Sequence, residues 1–543
     1  MKLSFDPQTV YSKRLQVVVY FIPSMVLLFG IIYLLVQITN ISNGHFVYTL
    51  DDPYIHLALA EKISQGFYGI NFGEPAAPSS SIIWPFLLAP FSRASWFEYV
   101  PLVLNSLFAL LTLLSLIRIV SWMLRGLSPA CWAAGTIGIA SAFIPATNLI
   151  GVIFTGMEHN LQVFLTVLIM IGMVKTVYVN ETPAWFIASL VFAPLVRYEC
   201  LAFVLPALIL LAYKRKWAKI SIAVVLLAVG IGGFSLYIRS QGLGWLPSSV
   251  MAKTIYMGAE SQLDVEAGST LPPIVEALLT NVVYHTLFPQ GWTAILIFIL
   301  LVARAVMTLR KYNSDRKDRL LATCAAMGMM LHLLFGRTGW WGRYELYAIS
   351  ASLIALVMVA RYPIQAMMQN FPWLASPIIF VAIALAGVDY NENYLRTPAA
   401  ARDVYEQQYQ MHRFVSNWYN APVAVNDLGW VSYRNPNYVL DLWGLASYEA
   451  LEQRKSAVDA EWMAVLAEKH NIKLVMIYTE WFSSVPSSWI PVAHLRLSGK
   501  ATVVGGDIVT FYVLAPTDVD TIRTDLEEFK ATLPKGVRLD ILQ

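Results

Sequence analysis

Between residues 15 and 388 the chain returns repeatedly to apolar stretches about as long as a bilayer is thick; after residue 390 it stops doing so. That pattern removes most fold classes. In hydrocarbon every backbone polar group must be satisfied within the protein, so such stretches read as a bundle of transmembrane helices. Only 13% of the 543 residues are charged, where a soluble protein carries roughly 25%. The expected fold is a polytopic α-helical membrane domain over 1–390, followed by a soluble α/β domain over 391–543. A net charge of +3 is too small to imply a nucleic-acid partner. The three cysteines, Cys131, Cys200 and Cys324, all lie in apolar segments, so the soluble part has no disulfide framework.

The basic residues set the expected topology, since cytoplasmic loops carry excess Lys and Arg. Lys2, Lys13 and Arg14 precede the first apolar stretch, Leu15 to Ile38, which reads as a signal anchor with its N-terminus inside. Spans then fall at 99–124, 129–149 and 158–178. The stretch 183–213 decides the parity. Read as two short helices broken near Arg197 and Glu199, it leaves the run Lys214, Arg215, Lys216, Lys219 inside; short helices are tolerated when buried against protein. Further spans at 217–239, 292–310, 319–336, 345–361 and 372–388 bring the count to about 11 and place the soluble domain outside. Two outer loops result, 39–98 and 240–291. Ser80 to Ser92 is too short to span and reads as an interfacial or re-entrant helix.

Ionisable residues collect on the outer side: Asp51, Asp52, Glu158, His159, Arg197, Glu199, Lys253, Arg337, Arg343 and Glu345. Charges at membrane depth are costly and point to a functional cavity, although Arg197 and Glu199 suit a mutual structural pair equally well. The run Asp51-Asp52-Pro53 is a helix start, and Ile55, Leu59 and Ile63 continue an amphipathic helix along the membrane surface to Gly66. A carboxylate at a helix N-terminus is favoured in its ionised form and can take a proton from a hydroxyl. One Asp capping the helix and the other acting as base are both open readings. In the soluble part, Ala401–Asn417 and Glu461–Glu468 pattern as helices, and 423–425, 474–478 and 508–513 as strands.

The residues from Asp51-Asp52-Pro-Tyr-Ile through Gln65-Gly66, Phe72-Gly73-Glu74 and Trp84-Pro-Phe-Leu-Leu-Ala-Pro90 resemble the first outer loop of GT-C membrane glycosyltransferases. They are most similar to the arabinofuranosyltransferases of actinobacterial cell walls. The likeness continues in order through Thr155-Gly-Met-Glu158, Arg197-Tyr-Glu199, Leu246-Pro247 to Lys253, Arg343-Tyr344, Ala424-Val-Asn-Asp427-Leu-Gly429 and Val439 to Leu445. It departs at Ala77-Pro-Ser-Ser-Ser81, where the family carries a Gly-Tyr-Thr stretch, which bears on which sugar and acceptor are used.

The resemblance implies a polyprenyl-phosphate sugar donor and an acceptor hydroxyl on a glycan, protein or lipid. It implies one inverting transfer on the extracytoplasmic face of a bacterial inner membrane, with arabinofuranose as the first expectation for the sugar. Asp51 is then the general base, with Asp52 capping, orienting Asp51 or touching acceptor. Lys253, Arg343, Arg197 and Arg337 hold the phosphate, because charge gathers there as the bond breaks. Tyr54, His56, Glu158, Glu199 and Asp427 are expected to contact substrate. No essential metal is expected, although two Asp and a Glu admit a divalent cation. Competing readings are a lipid-linked glycan polymerase or ligase, a polyprenyl-lipid transporter and a non-catalytic scaffold.

Overall fold

The computed structural model describes residues 11–252, 273–307, 316–456 and 459–543. Its first part is helical. Among the described residues eight helices are long and apolar enough to cross a membrane: Lys13–Ile41, Phe97–Met123, Pro129–Thr155, His159–Tyr178, Trp217–Ser240, Pro289–Met307, Arg316–Phe335 and Trp373–Tyr419. A bent pair, Leu346–Val359 and Arg361–Asn370 at 61°, gives a ninth if taken together. The stretch 183–213 forms two shorter apolar helices, Ala184–Val196 and Leu201–Tyr213. The sequence count of 11 therefore rests partly on helices below full span length. Arg197 breaks that pair: its backbone is extended, at φ −154° and ψ 131°, so the hydrogen-bond ladder stops there.

The soluble part carries a six-stranded sheet. Its strands are β1 (Val423–Val425), β2 (Val439–Asp441), β3 (Leu474–Ile477), β4 (Ile490–Arg496), β5 (Ile508–Val513) and β6 (Arg538–Ile541). Their order is β2-β1-β3-β5-β4-β6. β1 runs parallel to β2 and β3, while β5, β4 and β6 are antiparallel to their neighbours. β1, which lies between β2 and β3, and β2, at the sheet's edge, are both buried throughout.

The helix Asp52–Ser64 joins the two parts. Pro53 at its first turn sets φ where no N–H is needed. The expected amphipathic helix on the membrane surface is not what forms. Every residue from Pro53 to Ala60 is buried. Tyr54, Leu57 and Ala60 enter the main membrane core, while Ile55, Ala58 and Leu59 enter the core beneath the sheet with Val425, Leu428 and Val431. The soluble domain covers the face that sequence reading left to water. The 80–92 segment reduces to Trp84–Leu88 and a 3₁₀ turn, Ala89–Phe91.

Candidate active site

The site forms where the start of the Asp52 helix meets three breaks in the bundle: the turn before His159, the Arg197 break and the loop before Leu346. Gly156 makes the first approach possible. Its backbone is left-handed at φ +66°, and a Cβ there would lie 2.7 Å from Pro53 Cβ. The strand-like segment before the helix is tied to the same turn, with Thr49 N–H donating to Phe154 O at 3.0 Å.

The two adjacent aspartates point to different places. Asp51 is buried, and its oxygens accept the backbone N–H groups of Gly429 at 2.5 Å and Trp430 at 2.8 Å. Gly429 allows this contact, because a Cβ would sit 2.1 Å from Asp51 O. Beside it, Asp427 accepts from Gln408 Nε2 at 2.8 Å. Burial, and then the charge of Asp427, push the Asp51 carboxyl well above its usual range. Burial likewise raises Asp427 to about 6, against the hydrogen bond from Asp51. The two acids thus share one proton across the domain contact. Asp52, by contrast, has a side chain 37% exposed, and its Oδ2 accepts from Arg343 Nη2 at 2.7 Å. Neither aspartate side chain caps the helix.

Arg343 is buried, and its Nε and Nη1 have no hydrogen-bond partner among the described residues. Its guanidinium lies 5.2 Å from the centre of the Tyr344 ring, and that of Arg197 lies 5.5 Å from the same ring. Arg197 itself is spent: Nη1 donates to Glu158 Oε1 and Nη2 to Glu199 Oε1, both at 2.8 Å. These contacts are those of the structural pair that the sequence also admitted. His56 Nε2 lies 3.8 Å from Glu158 Oε2, which closes the buried end of this chain of charges. Glu199 and Asp52 are both part exposed, with side chains 34% and 37% accessible.

The remaining expected residues divide. Tyr54 is fully buried and stacks on Trp430, centroids 3.9 Å apart, so it packs the domain contact. Arg337 lies over the Tyr284 ring at 4.4 Å, with its Nε buried and unpartnered among the described residues. Lys253 lies outside the described residues. Sequence reading missed the Gly429 and Trp430 amides as partners of Asp51, and Tyr344 as the ring beneath both arginines. The quoted runs at 424–429 and 343–344 contain these residues, but only the fold shows what they face.

Among the described residues no group of three or more His, Cys, Asp or Glu is placed to hold a metal ion. Asp51 turns to two amides and Asp52 to a guanidinium, so the pair does not converge on one cation. These carboxylates do not fit the oxygen-rich set that a hard divalent ion takes.

Residues 399–512 match a family model described as a domain of unknown function (DUF8728). A search of curated proteins finds no match to this sequence. Among solved structures, the oligosaccharyltransferase of Archaeoglobus fulgidus, crystallised with zinc and sulfate, is similar over 95% of this chain and 75% of its own, at 11% identity and a TM-score of 0.36. A likeness at that level says nothing of what this chain does.

Proposed function

We propose that the chain is a membrane glycosyltransferase of the GT-C type, moving one sugar from a polyprenyl-phosphate donor to an acceptor hydroxyl. The observation that carries this is Arg343: a buried guanidinium that donates from Nη2 to a part-exposed carboxylate while its Nε and Nη1 have no partner among the described residues. Buried unmatched donors are costly and call for an anion, and a planar fork suits phosphate oxygens. The ordered resemblance to GT-C enzymes supports the same reading, with the active face extracytoplasmic, the N-terminus inside and a bacterial inner membrane as the setting. Arabinofuranose remains the first candidate for the sugar.

In this reading Asp52, and not Asp51, is the base. The acceptor O–H breaks as its proton passes to an Asp52 oxygen. The acceptor oxygen then bonds the anomeric carbon from the face opposite the phosphate, which inverts it. The bond from that carbon to the phosphate oxygen breaks, and its electron pair leaves with polyprenyl phosphate. Arg343 Nε and Nη1 stabilise the charge that collects there. Asp51 is a positioning residue: clamped by the soluble domain, it fixes the helix start on which Asp52 stands. The reading is tested by offering full-length protein in nanodiscs a panel of polyprenyl-phosphate sugars. One donor should release polyprenyl phosphate with wild type, and Arg343→Gln should release it roughly 10²–10³ times more slowly. Release with no donor, or equal release by Arg343→Gln, would overturn it.

A further inference from the structure

On the other side of the Arg343 loop is a cavity of about 380 Å³, between residues 339–342, the turn at 288–290 and the first turns of the helix Val388–Glu406. Its wall combines two indoles, Trp340 and Trp341, two carboxylates, Asp389 and Glu392, and two carboxamides, Gln290 and Asn393. The tryptophans are presented at a cost. Both have left-handed backbones, with φ +47° at Trp340 and +66° at Trp341, a conformation that bulky residues rarely adopt. Glu345 braces the loop: it accepts from Gly339 N–H at 3.0 Å and from Tyr390 O–H at 2.8 Å. Trp340 is nevertheless 55% exposed, so its position is not explained by core burial. The Trp341 indole N–H is buried without a partner among the described residues.

We propose that this cavity is a saccharide subsite holding the acceptor glycan of the transfer reaction. A sugar ring offers an apolar C–H face for an indole, hydroxyls that donate to carboxylates, and oxygens that accept from carboxamide and indole N–H groups. The wall supplies each of those partners. The two carboxylates disfavour a phosphate or any anionic headgroup here, which separates this cavity from the Arg343 site. Gly342, which lines the cavity, precedes Arg343 in the chain, so the cavity and the Arg343 site share one loop. The acceptor is thereby named as a glycan rather than a protein or a simple lipid. This rests on the reading of Asp52 and Arg343 as a transfer site.

The test uses full-length protein in nanodiscs and two independent binding assays. One takes a panel of tetrasaccharides: arabinofuranosyl, galactofuranosyl, mannosyl and glucosyl. The other takes decaprenyl phosphate. At least one tetrasaccharide should bind wild type, and Trp340→Ala and Asp389→Asn should each raise its Kd about tenfold or more, with decaprenyl phosphate binding unchanged. If no tetrasaccharide binds, or both variants bind as wild type does, the subsite is overturned and Trp340 belongs to the membrane interface. If a tetrasaccharide binds through Trp340 while decaprenyl phosphate does not bind at all, the subsite stands and the polyprenyl-phosphate donor falls.

Discussion

The molecule contains two clusters in which an aspartate meets an arginine, and they differ in what they leave over. At one, Asp318 is fully buried and accepts from Arg361 Nη1 at 2.5 Å, Arg304 Nη2 at 3.0 Å and the Tyr178 hydroxyl at 2.5 Å. Two cations and a phenol saturate one carboxylate, and the contact ties together four helices that are separate in sequence. At the other, Asp52 is part exposed, and Arg343 beside it keeps two buried nitrogens without partners among the described residues. The residue types are the same, yet the first holds helices together, and the second is the one we propose to receive a ligand. An ionisable residue in a membrane protein is therefore read by its unmet hydrogen bonds as well as by its depth.

That contrast breaks most readily at Asp52. Asp52→Asn should slow transfer by roughly 10²–10⁴ while leaving thermal stability near wild type, read by release of polyprenyl phosphate and by melting. Asp318→Asn should do the reverse. Removing the partner of the buried Arg361 should cost about 3–5 kcal/mol of stability, with turnover per folded molecule kept, as chemical denaturation beside an activity assay would show. If Asp318→Asn instead lost transfer with stability intact, the division between the clusters would be wrong.

The domain contact sharpens the comparison with smaller effects. Gly429→Ala places a methyl against Asp51 O and should loosen the soluble domain by about 1–3 kcal/mol, seen as faster proteolysis between the two parts. The shared proton gives the contact a pH dependence. Asp427 is raised from 3.8 to about 6, and Asp51 also upward, so the folded form binds more protons than the unfolded chain between those values. Their contribution is complete below about 4 and declines as pH rises through about 6. Protection factors at the Gly429 and Trp430 amides, corrected for the intrinsic rise of exchange with pH, should fall from pH 5 to pH 8, and Asp427→Asn should flatten the change.

How much of this was legible in the sequence depends on the distance over which each feature is decided. The Asp-Pro helix start, the break at Arg197 and strands β1, β3 and β5 follow from local patterns, and all stand where those patterns put them. The roles of Asp51 and Asp52 are not local. Successive residues on a helix point about 100° apart, and which one meets the soluble domain is settled by Gly429, 378 residues away. The burial of Tyr54 follows from the same distant contact. Asp318 and Arg361 lie 43 residues apart on different helices, and nothing near either in sequence marks them as partners.

The central claim is that Asp52 takes the proton and Asp51 holds it in place. Single-turnover release of polyprenyl phosphate from one accepted donor, compared among wild type, Asp51→Asn and Asp52→Asn, tests it most directly. The account expects Asp52→Asn to fall by roughly 10²–10⁴ while Asp51→Asn stays within about tenfold of wild type. A large loss in Asp51→Asn with Asp52→Asn near wild type would contradict it and return the base to Asp51.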